Sequence, residues 1–140
     1  MRTTQAAVFV CLLAGCTDQG GVVTPTSTPL PLQAALAPGQ SVIVYPERLK
    51  VTFYGVTADS RCPMGAECLW EGDGATRFSI QLDRAEAAAC TLHTALQPNF
   101  TESGVFFIQL VGLDPYPRIG SRIDPASYVA SVRVSRMIVD

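Results

Sequence analysis

From Ser41 onward the apolar and polar positions of this chain alternate with a period of two. Ser41–Tyr45 (SVIVY) is a short apolar run. In Leu49–Val56 the side chains of Leu49, Val51 and Phe53 share one face, and Lys50, Thr52 and Tyr54 share the other, as alternate residues of a strand do. Thr76, Phe78, Ile80 and Leu82 alternate with Ala75, Arg77, Ser79 and Gln81. Tyr128, Ala130, Val132 and Val134 alternate in the same way with Val129, Ser131, Arg133 and Ser135, while Val105–Val111 (VFFIQLV) is a near-continuous apolar run. Pro and Gly punctuate the gaps. The pattern predicts an all-β domain, a single antiparallel β-sandwich of immunoglobulin-like architecture or a small barrel.

Two stretches compete with this simple reading. Asp83-Arg84-Ala85-Glu86 has the spacing of a helix capping box, and the residues behind it are rich in Ala and Leu up to Pro98, so local propensity favours a helix. A hairpin with its tip at Asp83–Glu86 and a return strand over Ala88–Thr94 is preferred, because Phe78–Leu82 otherwise lacks a sequential partner. In DPASY, Asp124, Ala126 and Tyr128 resemble the tyrosine corner of immunoglobulin-like domains, where the hydroxyl bonds back to backbone. Ala130 stands where such a domain has its second cysteine. A tyrosine that merely opens an edge strand fits equally well.

The amino-terminal stretch changes the picture. Met1-Arg2 carries positive charge, Ala6–Leu13 is a short apolar run, and Leu13-Ala14-Gly15-Cys16 places two small residues before a cysteine, the plan of a secretion signal. The run is far shorter than the roughly 20 residues a helix needs to cross a bilayer. LAGC resembles the lipobox of bacterial lipoproteins, which implies a signal peptide over residues 1–15 and a diacylglyceryl group on Cys16. At about 0.8 kcal/mol per buried methylene, two or three acyl chains hold a protein firmly to a membrane. Thr17 stands where an aspartate would retain such a protein at the inner membrane, so the resemblance favours the outer membrane of a diderm cell. Residues 16–33, rich in Thr, Pro and Gly, suit a disordered tether reaching at most on the order of 50 Å. Residues 34–140 then form one domain of about 105 residues, enough for a single core.

Charge removes one class of partner. The chain carries a net charge of −2, which offers no electrostatic footprint for nucleic acid.

Most of the unusual residues fall in Asp59–Gly74, DSRCPMGAECLWEGDG. An exported protein meets an oxidising compartment, so a local Cys62–Cys68 disulfide is the economical expectation, with Cys90 a free thiol. Trp70, the single tryptophan, either packs under the loop at the sandwich core, the preferred reading, or stacks on a ligand. Cys62, Cys68, Cys90 and His93, with Met64 as a softer ligand, contain the donors of a zinc or copper(I) site, but their spacing matches no standard pattern. Asp59, Glu67, Glu71 and Asp73 carry oxygen donors for calcium, without the order of an EF-hand; a solvated acidic loop is the simpler reading. No metal or other cofactor is expected.

The same stretch, with VTFYGV before it and the PYP and DPASYVASV segments after it, resembles a family of uncharacterised bacterial lipoproteins marked by DSRCP, four residues, then CxWxG. Glu71 stands where the resemblance calls for a small residue. The resemblance implies a fold and an address, not a reaction. His93 is the only histidine, and neither a phosphate-binding glycine loop nor a nucleophile elbow occurs, so no enzyme is expected. The expectation is a lipid-anchored, extracytoplasmic binding or adaptor module that presents its braced loop, with Arg61, Met64, Glu67 and Trp70 as contact residues, to an envelope protein or glycan. The alternatives are an inhibitor of an extracytoplasmic hydrolase using the Arg61–Met64 segment and, further off, a metal-binding periplasmic protein.

Overall fold

A computed structural model describes residues 27–138; the signal segment, Cys16 and most of the expected tether lie outside them. The described residues form eight strands: β1 Leu32–Leu36, β2 Ser41–Val44, β3 Leu49–Asp59, β4 Gly74–Leu82, β5 Ala88–His93, β6 Phe100–Ser103, β7 Phe106–Asp114 and β8 Val129–Arg136. They make two four-stranded antiparallel sheets, ordered β1-β8-β7-β6 and β2-β3-β4-β5. The fold is a β-sandwich, not a closed barrel. Apart from the β1–β8 pair, every hairpin joins strands adjacent in sequence, so the likeness to immunoglobulin domains is one of two-layer architecture. No helix among the described residues is long and apolar enough to cross a membrane.

The alternation read from the sequence sets the core. Leu49, Val51 and Phe53 of β3, Thr76, Phe78 and Ile80 of β4, and Ala130, Val132 and Val134 of β8 are all buried. β7 buries only Phe106, Ile108 and Leu110 of its apolar run, while Val111 sits at a bulge with its side chain exposed. The Phe53 and Phe78 rings meet at 5.2 Å between centroids. Each such fully buried side chain contributes about 1.5–3 kcal/mol.

The disputed segment is a strand. β5 pairs antiparallel with β4 from Ile80↔Ala88 to Ala75↔His93. Asp83 has φ +49, a left-handed turn conformation that a helix N-cap does not adopt. The hairpin is closed by Ala85 N–H on Leu82 O at 3.0 Å. Two strands went unread in the sequence. β1 begins at Leu32, two residues inside the expected tether, and aligns Leu32 with Val134 and Leu36 with Ala130 of β8. Its Leu32, Ala34 and Leu36 turn toward the core. Short, polar β6 pairs with β7.

The antiparallel order gathers the connections 60–73, 94–99 and 115–128 at one pole, since β3, β5 and β7 end there and β4 and β8 begin there. The chain enters at the opposite pole, where Thr28 N–H donates to Tyr45 O at 3.0 Å and Met137 N–H to Val105 O at 2.8 Å.

Candidate functional site: the three-loop pole

The cysteine loop begins as two close backbone legs. Ser60 N–H donates to Asp73 O at 2.7 Å and Cys62 N–H to Glu71 O at 2.8 Å. Ser60 Oγ donates to the same Asp73 carbonyl at 3.1 Å. Gly72 makes this approach possible: it has φ +73, and a Cβ there would lie 1.9 Å from the Ser60 carbonyl oxygen. Above the legs the Cys62–Cys68 disulfide closes the tip, with Cα atoms 6.0 Å apart.

Arg61 turns inward at the base. Nε and Nη2 donate to the two oxygens of Asp59 at 2.8 and 2.7 Å. Nη1 donates to Leu113 O at 2.6 Å, and Nη2 also to Pro115 O at 2.9 Å. Its guanidinium carbon lies 5.0 Å from the centroid of the Tyr116 ring. Arg61 is only 7 % exposed, so it belongs to the scaffold and is not presented to a partner, contrary to the sequence expectation. The reason is chemical: β7 runs past the end of β6 with open carbonyls, and a planar fork of donors can satisfy them together with a carboxylate.

Tyr128 completes this cluster. Its hydroxyl donates to Asp59 Oδ2 at 2.9 Å. It therefore bonds to a side chain of the opposite sheet, not to backbone at a corner; Asp124, also assigned to that corner, instead caps the 3-10 turn Pro125–Ser127 by accepting from Ala126 N–H. Burial alone would raise the Asp59 pKa, but the hydrogen bonds from Arg61 and Tyr128 outweigh it and hold the carboxyl below its ordinary value. Burial, then the bond to Asp59, pushes the Tyr128 phenol up.

Asp73 ties the loop to the β5–β6 connection. His93 Nδ1 meets Asp73 Oδ2 at 2.6 Å; an ionised carboxylate only accepts, so the ring nitrogen carries the proton. Oδ1 accepts the amides of Ala95 and Leu96 at 3.0 and 3.2 Å. Burial opposes ionisation of Asp73, yet the Ala95 amide, His93 and the Leu96 amide together depress its pKa. This pair escaped the sequence reading, which set His93 beside the cysteines and Asp73 among the carboxylates of the loop. Among the described residues no hydroxyl or thiol hydrogen-bonds to the imidazole.

The remaining candidate residues lie outward. Met64 N–H donates to Pro117 O at 2.9 Å and Ile119 N–H to Met64 O at 3.3 Å, a short parallel bridge that joins the cysteine loop to the β7–β8 connection. The side chains of Met64, Leu69, Trp70, Tyr116 and Ile119 are exposed on these two joined loops, Leu69 fully and Trp70 at 54 %. Glu67 is exposed beside them. Trp70 does not plug the core, which is built from strand residues and Tyr128.

The chain matches no family model, no curated protein and no solved structure.

The resemblance to the lipoprotein family therefore rests on the quoted residues alone. The structure assigns work within the fold to several residues of that stretch: Asp59 and Arg61 in the base, Ser60 and Gly72 between the legs, Cys62 and Cys68 at the brace. The Glu67, Leu69 and Trp70 side chains are exposed. Cys90 lies half-buried against the core, its thiol pushed up by burial, and Cys62 and Cys68 are consumed in the disulfide. Among the described residues no group of three or more His, Cys, Asp or Glu side chains is placed to hold a metal ion. A cleft of about 240 Å³ lies beside the loop, lined by Arg61, Glu71, Gly72, Thr94 and Tyr116 with the Leu110–Leu113 stretch of β7.

Proposed function

We propose that this chain is a lipid-anchored lipoprotein of the bacterial cell envelope, exported through its amino-terminal signal, whose β-sandwich acts as a binding or adaptor module through the braced loop. One observation carries the reading: Trp70 and Leu69 stand exposed on a loop held rigid by a disulfide, paired legs and a bridge to its neighbour. Large apolar side chains at a rigid tip lose little conformational freedom on association, and tryptophan is a frequent energetic centre of protein interfaces. The polarity of the fold supports the reading too. A tether entering at the pole of Thr28 leaves the three-loop pole turned away from the anchor. The favoured partner is an extracytoplasmic protein with an apolar recess, contacted by Met64, Glu67, Leu69 and Trp70.

The inhibitor alternative leaned on the Arg61–Met64 segment, and the inward Arg61 leaves that segment without its charged side chain.

The test is capture from native envelope extract with the natural chain and with a Leu69→Ser, Trp70→Ser variant. Loss of a reproducible partner from the variant, with unchanged circular dichroism, supports the reading. Undiminished capture overturns it, and blockade of purified proteases or lysozymes by the natural chain would favour the inhibitor instead.

A further inference from the structure

The outer face of the β2-β3-β4-β5 sheet, away from the three-loop pole, carries a feature that the loop reading does not use. Three hollows follow one another along it. One of about 260 Å³ and one of about 470 Å³ share Arg77 and Ala89. A third, of about 360 Å³, continues along β3 and β4 at Lys50 and Gln81 toward Arg48 and Arg84. Arg77 and Gln81 are four residues apart on one strand, which places them roughly 13 Å apart at about 3.3 Å per residue.

Of the charged residues that line the hollows, Arg48, Lys50, Arg77 and Arg84 are cations and Asp83 alone is an acid. Among the described residues Lys50, Arg77 and Arg84 have no ion-pair partner, and Arg48 meets Asp83 only at 3.9 Å, with both side chains largely exposed, a pairing of little strength. This strip is positive on a chain whose net charge is −2. Gly55 sits opposite Arg77 in the β3–β4 register, and Tyr54 beside it lines the same hollow as Arg77. Tyr54 and Tyr45 expose their rings along the same face, and Ser79 and Thr91 add hydroxyls.

We infer that this face binds an acidic polysaccharide, a glycan chain bearing carboxylates. Flat rings suit the apolar faces of sugars, hydroxyls and the Gln81 amide suit sugar hydroxyls, and spaced cations suit repeated carboxylates, with Arg able to pair bidentately. The run of hollows fits an oligomer and not a single sugar. Four cations beside acidic Asp83 and Glu86 fall short of the basic footprint that tracks nucleic-acid phosphates. The inference stands apart from the loop reading, because it uses a different face.

The experiment measures retardation of the full chain in gels containing polygalacturonate, neutral amylose, polyglutamate or duplex DNA. Binding to polygalacturonate that falls with salt and exceeds binding to the other three polymers is expected. An Arg77→Gln, Lys50→Gln variant should weaken it about tenfold or more, as loss of charge-assisted hydrogen bonds implies. Tyr54→Ala should weaken it too, and Leu69→Ser, Trp70→Ser should leave it unchanged. No retention by polygalacturonate overturns the inference. So does equal retention by polyglutamate or DNA, which would reduce the strip to bare charge, or full binding by the Arg77, Lys50 variant.

Discussion

Arg61 Nη1 donates to the carbonyl of Leu113 at 2.6 Å, so a side chain from the cysteine loop of one sheet closes an open edge of the other. With its second bond to Pro115 O and its fork on Asp59, this guanidinium does what a further strand would otherwise do for the end of β7. Edge carbonyls left open in a partly dry site are costly.

Removing the guanidinium should therefore destabilise the whole sandwich, not only the loop. Arg61→Ala removes the charge partner of Asp59, which keeps only the Tyr128 hydroxyl as a side-chain donor, and the donors to two carbonyls; breaking a buried pair from one side costs about 3–5 kcal/mol. Arg61→Lys should recover only part of this, since a point charge cannot serve three acceptors in one plane. Urea unfolding monitored by tryptophan fluorescence and by circular dichroism checks both variants. A cost near that of an ordinary surface change, within about 0.5 kcal/mol, would refute the scaffold role.

Acid should loosen this pole through two carboxylates. Asp59 and Asp73 both have folded pKa values below their ordinary ones, so below the unfolded value of about 3.9 the unfolded chain binds protons more readily than the folded one. Their contribution is complete above about pH 5 and is lost as pH falls through the folded values. Asp73→Asn should lower stability at neutral pH and flatten the acid limb of the stability profile. Unfolding free energies measured from about pH 3 to 7 decide it; parallel curves for variant and natural chain would show that Asp73 contributes nothing to the acid response.

The strands were legible because a half-buried sheet writes its two faces into alternate residues. The inward sets of β3, β4 and β8 are those that the pattern marked. β1 was missed because Pro29 and Pro31 lead into it and its outer face is only Gln33 and Ala35; β6 was missed because Phe100–Ser103 is short and polar. The cysteine brace was legible from the short Cys62–Cys68 spacing and the expectation of export. The roles of Arg61 and Trp70 were not, and the structure exchanges them: the charged residue is inside and the aromatic outside. Arg61 finds Leu113 across 52 positions and Asp73 finds His93 across 20, distances over which linear pattern carries no signal.

The proposed lipid address has a separate test. Cys16→Ser should remove the acylation site and with it partition into the detergent phase, leaving an uncut or soluble protein. Since two or three acyl chains at about 0.8 kcal/mol per methylene dominate membrane affinity, the loss should be nearly complete in phase partitioning with Triton X-114. Unchanged partition of the variant would exclude Cys16 as the anchor.

Gly72 should be the least replaceable residue of the loop that is not in the brace. Two penalties coincide there. Its φ of +73 is open to glycine but strained for any residue with a Cβ, and the added carbon would lie 1.9 Å from the Ser60 carbonyl oxygen and 2.7 Å from the Arg61 Cα. Neither neighbour can yield. The Ser60 leg is bonded to Asp73, and Arg61 is held by Asp59, Leu113 and Pro115. Gly72→Ala must therefore part the legs, so its cost should exceed the roughly 1 kcal/mol of an isolated left-handed substitution and reach several kcal/mol. Gly39→Ala is the control, with φ +86 but nothing within 4 Å of the added carbon. It should pay for the backbone alone. If chemical denaturation ranks the two alanine variants as equal, close packing of the legs is not what places glycine at position 72.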